Sequence, residues 1–311
     1  MRYLYGDMFI VSGYIFRIYN HPNPKKFVIA YPIYKVGQRN ELTKDFDRKK
    51  ILKQYLVPIG PGVNFPLIKK KEIKSYIQCL NIPLKDTSIF FNYFLQIKRR
   101  LEKIGITHIG LTGSGRLRLN GFIIKNKNSD IDIIIVGKRN SVILKNRIDE
   151  IFDDKFVSYK EFPERIYFRR KLKSTPHFID MKTAKEFESQ KTIGILNNKI
   201  HVNITPTLNI SGYLKKPKIK NLGLVETTVR IKSTKYSNTV PGYYEIECYY
   251  NGKKIEKLYS NFFYYLLGAE NGDKFNVCGE LIEKDKGRDK EYFLSLDSSG
   301  LYKKYFMNKV S

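Results

Sequence analysis

The feature that most constrains the fold is a pair of apolar segments in the middle of the chain. The first, THIGLTGSG at residues 107–115, runs into glycines, and the second, DIDIIIVG at residues 130–137, begins with two separated acids. Short runs rich in β-branched residues are typical of buried strands. The turn-rich KNKNS at residues 125–129 separates them. We therefore expect two neighbouring core strands here.

Helical patterns flank these segments. Within residues 84–104, apolar side chains at 90, 94, 97, 101 and 104 follow helical spacing, with Asp86, Thr87 or Ser88 available as the N-cap. A second helix is predicted over residues 142–152, capped by Ser141. Further strands are predicted over 165–172, 191–196 and 199–205, the last two joined by a tight turn at Asn197-Asn198. The middle of the chain is thus predicted to be α/β.

The two ends of the chain carry strand patterns instead. Apolar and aromatic runs at residues 8–19 and 27–36, separated by Pro22 and Pro24, predict a β-hairpin or a small sheet. From Gly223 onward, short alternating strands with regular turns predict a small antiparallel β-barrel or a sandwich. We expect an N-terminal β-rich region over 1–75, an α/β domain over 76–221 and a barrel domain over 222–311.

The charge is large and regional. The chain has 57 Lys plus Arg against 30 Asp plus Glu, a formal net charge of +27. Residues 1–221 hold 43 and 18 of these, net +25, and residues 222–311 hold 14 and 12, net +2. Such a field attracts nucleic acid, nucleotide phosphates or an anionic membrane surface. A lysine-rich surface adapted to heat is the alternative interpretation.

One basic cluster mixes charge with aromatic rings, Tyr167 and Phe168. Its cations are Arg165, Arg169, Arg170 and Lys171. Rings that stack on bases beside cations that bind phosphates suit nucleic acid binding, although the same alternation fits a half-buried strand.

Several classes of protein are excluded by composition. Cys79, Cys248 and Cys278 are widely spaced and odd in number, so they predict neither a disulfide framework nor a zinc site. The N-terminus lacks the unbroken apolar stretch of a signal peptide, and no segment reaches the roughly 18 apolar residues of a membrane span. We expect a soluble, cytoplasmic protein without a membrane partner.

The residues with chemical potential are Asp130 and Asp132. At positions i and i+2 of a strand they point to the same face, where their hard oxygens can bind the divalent cations of phosphoryl or nucleotidyl transfer. Gly113 lets the backbone approach phosphates, Ser114 can donate its hydroxyl to them, and Arg116 lies nearby to balance their charge. A solvated strand edge or a turn cap is the structural alternative.

Gly113-Ser114 on a strand-to-helix turn, followed by Ser129-Asp130-Ile131-Asp132, resembles the signature of the DNA polymerase β-like nucleotidyltransferase superfamily. GDMFI and HPNPKKFVIAYPIY near the N-terminus, with the C-terminal barrel, resemble archaeal proteins predicted to be nucleotidyltransferases. The resemblance implies an α+β or α/β nucleotidyltransferase-like mixed sheet, an NTP substrate, and Mg2+ or Mn2+ on Asp130 and Asp132. It also implies nucleotide contacts from Gly113, Ser114 and Arg116.

The family pattern includes a third carboxylate on an adjacent strand, and here the sequence departs from it. In IHVNITP the corresponding position is Asn203, which cannot act as a general base. Asp180 in PHFIDMK is the alternative third acid.

Two functions follow from the resemblance and the charge. The first is transfer of a nucleoside monophosphate from an NTP to an acceptor with release of pyrophosphate. Nucleic acid is the favoured acceptor, RNA before DNA, ahead of a protein or a small molecule. The second is a catalytically silent nucleotidyltransferase-like module that binds nucleic acid.

Overall fold

The computed structural model of the protein describes residues 3–18, 26–60, 63–82, 89–124, 130–158, 183, 193–207, 219–240, 242–260, 266, 268–285, 287, 289–296 and 305–310. These residues fall into two compact units. The first contains described residues of 1–55, 66–158 and 192–213, and the second contains those of 56–65, 159–191 and 214–311.

The described residues form nineteen strands and four α-helices. The strands of the N-terminal half are β1 (Met8–Val11), β2 (Tyr14–Ile18), β3 (Phe27–Val36), β4 (Glu41–Thr43), β5 (Leu56–Gly60), β6 (Val63–Lys69), β7 (Ser75–Ile77), β8 (Ile109–Thr112), β9 (Ile123–Ile124) and β10 (Ile131–Val136). The later strands are β11 (Phe156–Ser158), β12 (Ile193–Leu196), β13 (Ile200–Thr207), β14 (Ile219–Ser233), β15 (Gly242–Tyr250), β16 (Lys253–Ser260), β17 (Lys274–Asp285), β18 (Lys290–Ser295) and β19 (Phe306–Lys309). The helices are α1 (Arg48–Lys53), α2 (Ile89–Lys103), α3 (Gly113–Arg118) and α4 (Lys138–Arg147).

The N-terminal sheet of the first unit has the strand order β6-β3-β2-β1-β7, with β4 pairing with both β3 and β9. The apolar run predicted at residues 8–19 is broken into two strands, β1 and β2. The break lies at Ser12 and Gly13, which both have positive φ, 48° and 79°. Because such a pair closes a tight turn, Val11 pairs directly with Tyr14.

The two faces of this sheet bury different sets of side chains. One face contributes to a core of Phe9, Val11, Phe16, Ile18, Val28, Ala30, Ile51 and Ile68. Core residues of the opposite face are Met8, Ile15, Tyr34, Leu42 and Ile77, which pack with Leu117 of α3. The N-terminal strands and the middle of the chain therefore share a core, so no division between units falls at residue 75.

The second sheet of the first unit is mixed, as predicted for the middle of the chain. Its order is β11-β12-β13-β10-β8, in which β10 and β13 are parallel and the other pairs are antiparallel. Ile131, Ile133 and Ile135 of β10 are fully buried, as their unbroken apolar run predicts. The turn between β12 and β13 has positive φ at both Asn197 and Asn198, which confirms the predicted tight turn.

Two helices cover this sheet, and only one begins where the sequence predicts. The apolar face of α2 packs into the core through Phe94, Ile97 and Leu101, which confirms the first predicted helix. Its candidate N-caps, Asp86, Thr87 and Ser88, lie outside the described residues.

The prediction that Ser141 caps the second helix is wrong. Ser141 lies inside α4, where its buried backbone N–H donates to the carbonyl of Gly137 at 3.0 Å. Gly137 precedes the helix with φ of 111°, a conformation that favours glycine and allows the chain to turn directly from β10 into α4. The helix ends at Arg147, and residues 148–151 continue as a 3-10 turn.

The second unit contains a closed five-stranded barrel, which confirms the predicted small β-barrel. The order is β14-β15-β16-β18-β17, and β14 also pairs with β17 to close it. β17 runs antiparallel to both β14 and β18. In a closed barrel of five strands this leaves β16 and β18 parallel, in contrast to the wholly antiparallel barrel expected. Val229, Ile255, Phe275 and Leu294 are buried on its inner side. No helix among the described residues is long and apolar enough to cross a membrane.

Candidate functional site

The register of the mixed sheet brings three polar side chains to one level. Asp132 on β10 is paired with Thr112 on β8 and with Asn203 on β13. The Asn203 amide donates a hydrogen bond from Nδ2 to Asp132 Oδ1, 3.0 Å away. The predicted strand over 199–205 therefore carries Asn203 to the position beside Asp132, 71 residues from it in sequence.

The other carboxylate oxygen of Asp132 faces Gly113. Gly113 has φ of +65°, and a Cβ built on it would collide with Asp132 Oδ2. Only glycine fits both the backbone conformation and this close approach. The sequence predicts a close approach at Gly113 to nucleotide phosphates, and the group that occupies this space is a carboxylate of the chain itself. Phosphate contacts from Gly113 and half-buried Ser114 stay predictions.

The N-terminal segment packs directly on the two strands that meet at this level. The hydroxyl of Thr112 donates a hydrogen bond to the carbonyl of Gly6, 106 residues away. A Cβ on Gly6 would lie 2.9 Å from Cγ1 of Ile134. The Gly6 N–H also donates to the carbonyl of Ile18, at 2.9 Å, which ties the segment to β2. The N-terminal sheet is therefore part of the surroundings of Asp132.

Burial and the neighbouring positive charges shift the pKa of the Asp132 carboxylate in opposite directions. Burial is the largest effect and raises the pKa of Asp132 above the usual range, and the negative charge of Asp130 raises it further. The positive charges of Arg17 and Lys44 and the hydrogen bond from Asn203 lower it. The side chain retains partial exposure despite its dense surroundings. Asp130 and Asp132 are thus close enough to repel each other, as paired ligands of a cation would be.

Tyr34 on β3 belongs to the same cluster. Its pKa is raised to about 12, first by burial and then by the negative charge of Asp132, against the opposing effects of Arg48, Arg17 and Arg118. Nζ of Lys44 lies 5.3 Å from the centroid of the Tyr34 ring. Cations from β2, α1 and α3 therefore act on Tyr34 together with the charge of Asp132.

Sequence reasoning missed these N-terminal residues. Arg17 interrupts the apolar strand YIFRI, and a charged residue in the middle of such a strand was the available signal. Lys44 carried no signal, because it is an exposed lysine in a lysine-rich chain.

Arg116, predicted to contact a nucleotide, lies among backbone carbonyls. Only 4% of it is exposed. Its Nε donates to the carbonyl of Gln78 at 3.1 Å and its Nη2 to that of Asn81 at 2.6 Å. Burial lowers the pKa of this guanidinium. Arg116 thus holds the segment that follows β7, and its contact with a nucleotide stays a prediction.

The other predicted residues cannot be compared with the structure. Asp180, the alternative third acid, and the cluster of Arg165, Arg169, Arg170 and Lys171 lie outside the described residues. Within the described part of the chain, no group of three or more His, Cys, Asp or Glu residues is arranged to hold a metal ion.

The donor set at Asp130 and Asp132 consists of hard carboxylate oxygens, which suit Mg2+ and Mn2+. Mg2+ is usually held by one or two carboxylates together with water and substrate phosphates. Asp130 and Asp132 supply two carboxylates, and their mutual repulsion is a penalty that a bound cation would relieve. The two residues therefore fit a divalent cation that a phosphate-bearing substrate helps to hold.

Comparison with known proteins gives one informative similarity. An uncharacterized protein of Methanocaldococcus jannaschii is 28% identical over 193 residues, which cover 59% of this chain and 53% of that protein. The chain thus spans about half the length of the curated relative that it matches. No family model matches the chain. No solved structure matches it.

Proposed function

We propose that the protein is a nucleotidyltransferase that moves a nucleoside monophosphate from an NTP to an acceptor and releases pyrophosphate. The regional positive charge favours nucleic acid as the acceptor. We propose RNA before DNA. The observation that carries the proposal is the arrangement of Asp132 between Gly113 and Asn203. Asp130 lies directly before β10 and not on the strand as the sequence predicts, but it is near enough for its charge to raise the pKa of Asp132. The resemblance of the Gly113-Ser114 and Ser129-Asp130-Ile131-Asp132 motif to the nucleotidyltransferase signature also supports nucleotidyl transfer as the reaction.

In this proposal Asp130 and Asp132 would hold Mg2+ or Mn2+. When bound, the metal would neutralise phosphate charge and polarise the phosphoryl oxygens. The residues of the chain orient the Asp132 carboxylate: Asn203 holds one of its oxygens in place, and the tight contact with Gly113 holds the other. A carboxylate restrained from two sides keeps its lone pairs in a fixed direction, which favours catalysis by positioning.

A catalytically silent nucleic-acid-binding module is the second candidate, and Asn203 is the observation that favours it. Asn203 occupies the strand position beside Asp132 at which the family pattern calls for an acid, and it uses its amide as a donor to Asp132. An amide cannot remove a proton from an acceptor hydroxyl. In this case the fold would bind nucleic acid without transferring a nucleotide to it.

The deciding experiment incubates the full chain with each radiolabelled NTP, Mg2+ or Mn2+, and separate pools of small RNA, single-stranded DNA and unlabelled protein. We expect label on RNA from the wild type and none from Asp132→Asn. Asp154→Asn is the matched control and should behave as the wild type, because Asp154 is an exposed acid in the turn between the 3-10 turn at residues 148–151 and β11.

Asn203→Asp separates the two candidates. Under the transferase proposal, a carboxylate beside Asp132 supplies the missing base, so label transfer should rise when RNA is the acceptor. If neither the wild type nor Asn203→Asp labels any acceptor while both bind RNA, the silent module is the correct function.

A further inference from the structure

Several lysines lie together where β6 ends and where β3 and β7 begin. Lys69, the last residue of β6, pairs with Phe27 of β3, and the N–H of Lys70 donates to the carbonyl of Lys26 at 3.0 Å. A 3-10 turn over residues 70–72 follows, and the N–H of Lys74 then donates to the carbonyl of Ile10 at 3.1 Å. Backbone contacts therefore gather the members of this lysine patch, which are Lys26, Lys69, Lys70, Lys71 and Lys74.

The patch has a packed base and exposed charges. Four of its lysines are exposed, and Lys70 is half-buried. Nζ of Lys70 lies 5.0 Å from the centroid of the Tyr3 ring, and this ring meets the ring of Tyr76 edge-on with 5.0 Å between the centroids. A cation is attracted to the face of an aromatic ring, so Lys70 and the two rings form the base from which the other lysines project.

Acids do not balance the charge of the patch. Oε1 of Glu72 lies 3.7 Å from Nζ of Lys69, but both side chains are exposed, and such surface ion pairs contribute little. Within the described part of the chain, Lys26, Lys71 and Lys74 form no ion pair. The adjoining sequence YNHPNPK at residues 19–25 contains a lysine and no acid. Three lysines of the patch therefore have their charges available for an external anion.

We propose that the lysine patch binds the phosphate backbone of a nucleic acid and so holds the acceptor strand. Lysines contact phosphates as point charges and need no particular base sequence. The inference rests on the proposed function for the role of the bound strand as acceptor, whereas binding of the backbone requires no transfer.

A continuous series of contacts joins the patch to the level of Asp132. The hydroxyl of Tyr76, in the base of the patch, donates to Asp7. Asp7 follows Gly6, whose carbonyl accepts a hydrogen bond from the hydroxyl of Thr112, the residue paired with Asp132. All of these residues belong to the first compact unit. A strand bound at the patch would therefore be held on the same packed framework as Asp132.

A nucleic acid fits the patch better than an anionic membrane does. Segments that bind to a membrane surface combine cations with apolar side chains that enter the bilayer. Among the described residues, the exposed large apolar side chains all lie outside the patch; they are Ile123, Val142, Leu224, Tyr249 and Val310. The Tyr3 ring in the base of the patch is half-buried beneath Lys70. The patch thus offers charge for phosphates without an apolar anchor.

The test measures binding of a single-stranded RNA of mixed sequence to the full chain by fluorescence anisotropy over a series of salt concentrations. The patch variant combines Lys71→Gln with Lys74→Gln and removes two exposed charges. Lys232→Gln combined with Lys274→Gln is the matched control, because both lysines are exposed on barrel strands and the change in net charge is the same. Urea unfolding midpoints check that both variants fold as the wild type does.

Each phosphate contact that is lost from a single strand makes the slope of log K against log salt shallower by about 0.7. The patch variant should therefore have a slope shallower by about 1.4 and should bind RNA about tenfold or more weakly at about 0.1 M salt. The control should keep the slope of the wild type to within about 0.3, because its charges are screened from the bound strand.

Three results would overturn the inference. Equal losses in the patch variant and the control would mean that a diffuse positive field explains the binding. A wild type that binds no RNA would leave the patch without its ligand. Loss of binding to phosphatidylserine vesicles in the patch variant, with RNA binding retained, would identify a membrane surface as the partner.

The inference and the proposed function fail separately. RNA binding that depends on the patch, in a protein that labels no acceptor, would refute the transferase and keep the nucleic-acid surface. Label transfer with the same dependence on RNA concentration in the patch variant and the wild type would keep the transferase and refute the surface.

Discussion

Asp7 and Asp132 are two acids of the same unit whose surroundings differ in kind. Asp7 is 1% exposed, and its carboxylate accepts hydrogen bonds from the N–H of Leu4 at 2.7 Å, the N–H of Cys79 at 2.8 Å and the hydroxyl of Tyr76. Burial raises its pKa, and these hydrogen bonds oppose the rise. Asp132 accepts one amide hydrogen bond, from Asn203, and its pKa responds to the full charges of Arg17, Lys44 and Asp130.

The difference indicates which acid is available for chemistry. The donors around Asp7 are fixed by the backbone and by a packed phenol, so a ligand could reach this carboxylate only by breaking the fold. The charges around Asp132 belong to side chains that can exchange one ionic partner for another, such as a metal ion or a phosphate. Asp7 therefore joins the ends of the N-terminal sheet, and Asp132 is the acid that can act.

The largest expected effect is on activity at Asp132. Under the proposed function, Asp132→Asn should lower label transfer to RNA at least about a thousandfold, because it would remove a charged ligand of the proposed metal. Asp7→Asn should leave the rate per folded molecule within about threefold of the wild type. Both rates are measured with the radiolabelled NTP assay, after the folded fraction has been determined by circular dichroism. Equal losses of rate in the two variants would remove the functional distinction between the two acids.

The next effect concerns the contact that restrains Asp132. Gly113→Ala should lower the free energy of unfolding by about 2–4 kcal/mol, since it combines a positive φ with a collision against the carboxylate. Gly121→Ala is the matched control: Gly121 has φ of +79° but nothing lies within 4 Å of an added Cβ, so only about 1 kcal/mol should be lost.

The part of the destabilisation that comes from the collision is measured by urea unfolding. The variants compared are these two and the double variant that combines Gly113→Ala with Asp132→Ala. The double variant should recover much of the loss, because the opposing carboxylate is gone. No recovery would show that the backbone conformation alone accounts for the requirement for glycine.

Asp7→Ala tests the structural side of the comparison. It leaves two backbone N–H groups and the Tyr76 hydroxyl without their acceptor, and we expect a loss of about 2–3 kcal/mol in the free energy of unfolding. Asp132→Ala should cost less, because only the Asn203 amide loses an acceptor and a partly buried charge is removed. Urea denaturation of both variants gives the comparison. A greater loss for Asp132→Ala than for Asp7→Ala would contradict it.

The smallest effect is a pH dependence at Asp132. The pKa of Asp132 in the folded protein is raised above the ordinary value of 3.8, so the folded state binds the carboxyl proton more tightly than the unfolded state does. Its contribution to stability is therefore complete below pH 3.8 and is lost as the pH rises through the folded pKa. Asp132→Asn should remove this loss and be more stable than the wild type at neutral pH by on the order of 1 kcal/mol.

Unfolding midpoints in urea from pH 4 to pH 8 measure this difference. The gain in Asp132→Asn should shrink towards the acid end of the range. A variant less stable than the wild type at pH 7 would show that the cations around Asp132 outweigh its burial, and that the carboxylate is as structural as Asp7.

The local features of this protein can be predicted from short segments of its sequence. The unbroken apolar run after Asp132 specifies a buried strand, two asparagines with a tolerance for positive φ specify the turn before β13, and regular alternation specifies the C-terminal barrel strands. Glycine at 113 signalled a close approach. Each of these follows from strand periodicity or from the conformations that one or two residues permit, which neighbouring residues in sequence control.

Contacts between distant residues, by contrast, follow from how whole faces of the sheets and helices pack. Arg17, Tyr34 and Lys44 come to Asp132 because the N-terminal sheet shares a core with α3, and the pattern of one strand does not encode the partner of its face. The same packing buries Arg116 against two carbonyls, although its place in the motif predicts a nucleotide contact. Contacts across about a hundred residues depend on the summed burial of whole faces, and therefore no single segment of the sequence contains them.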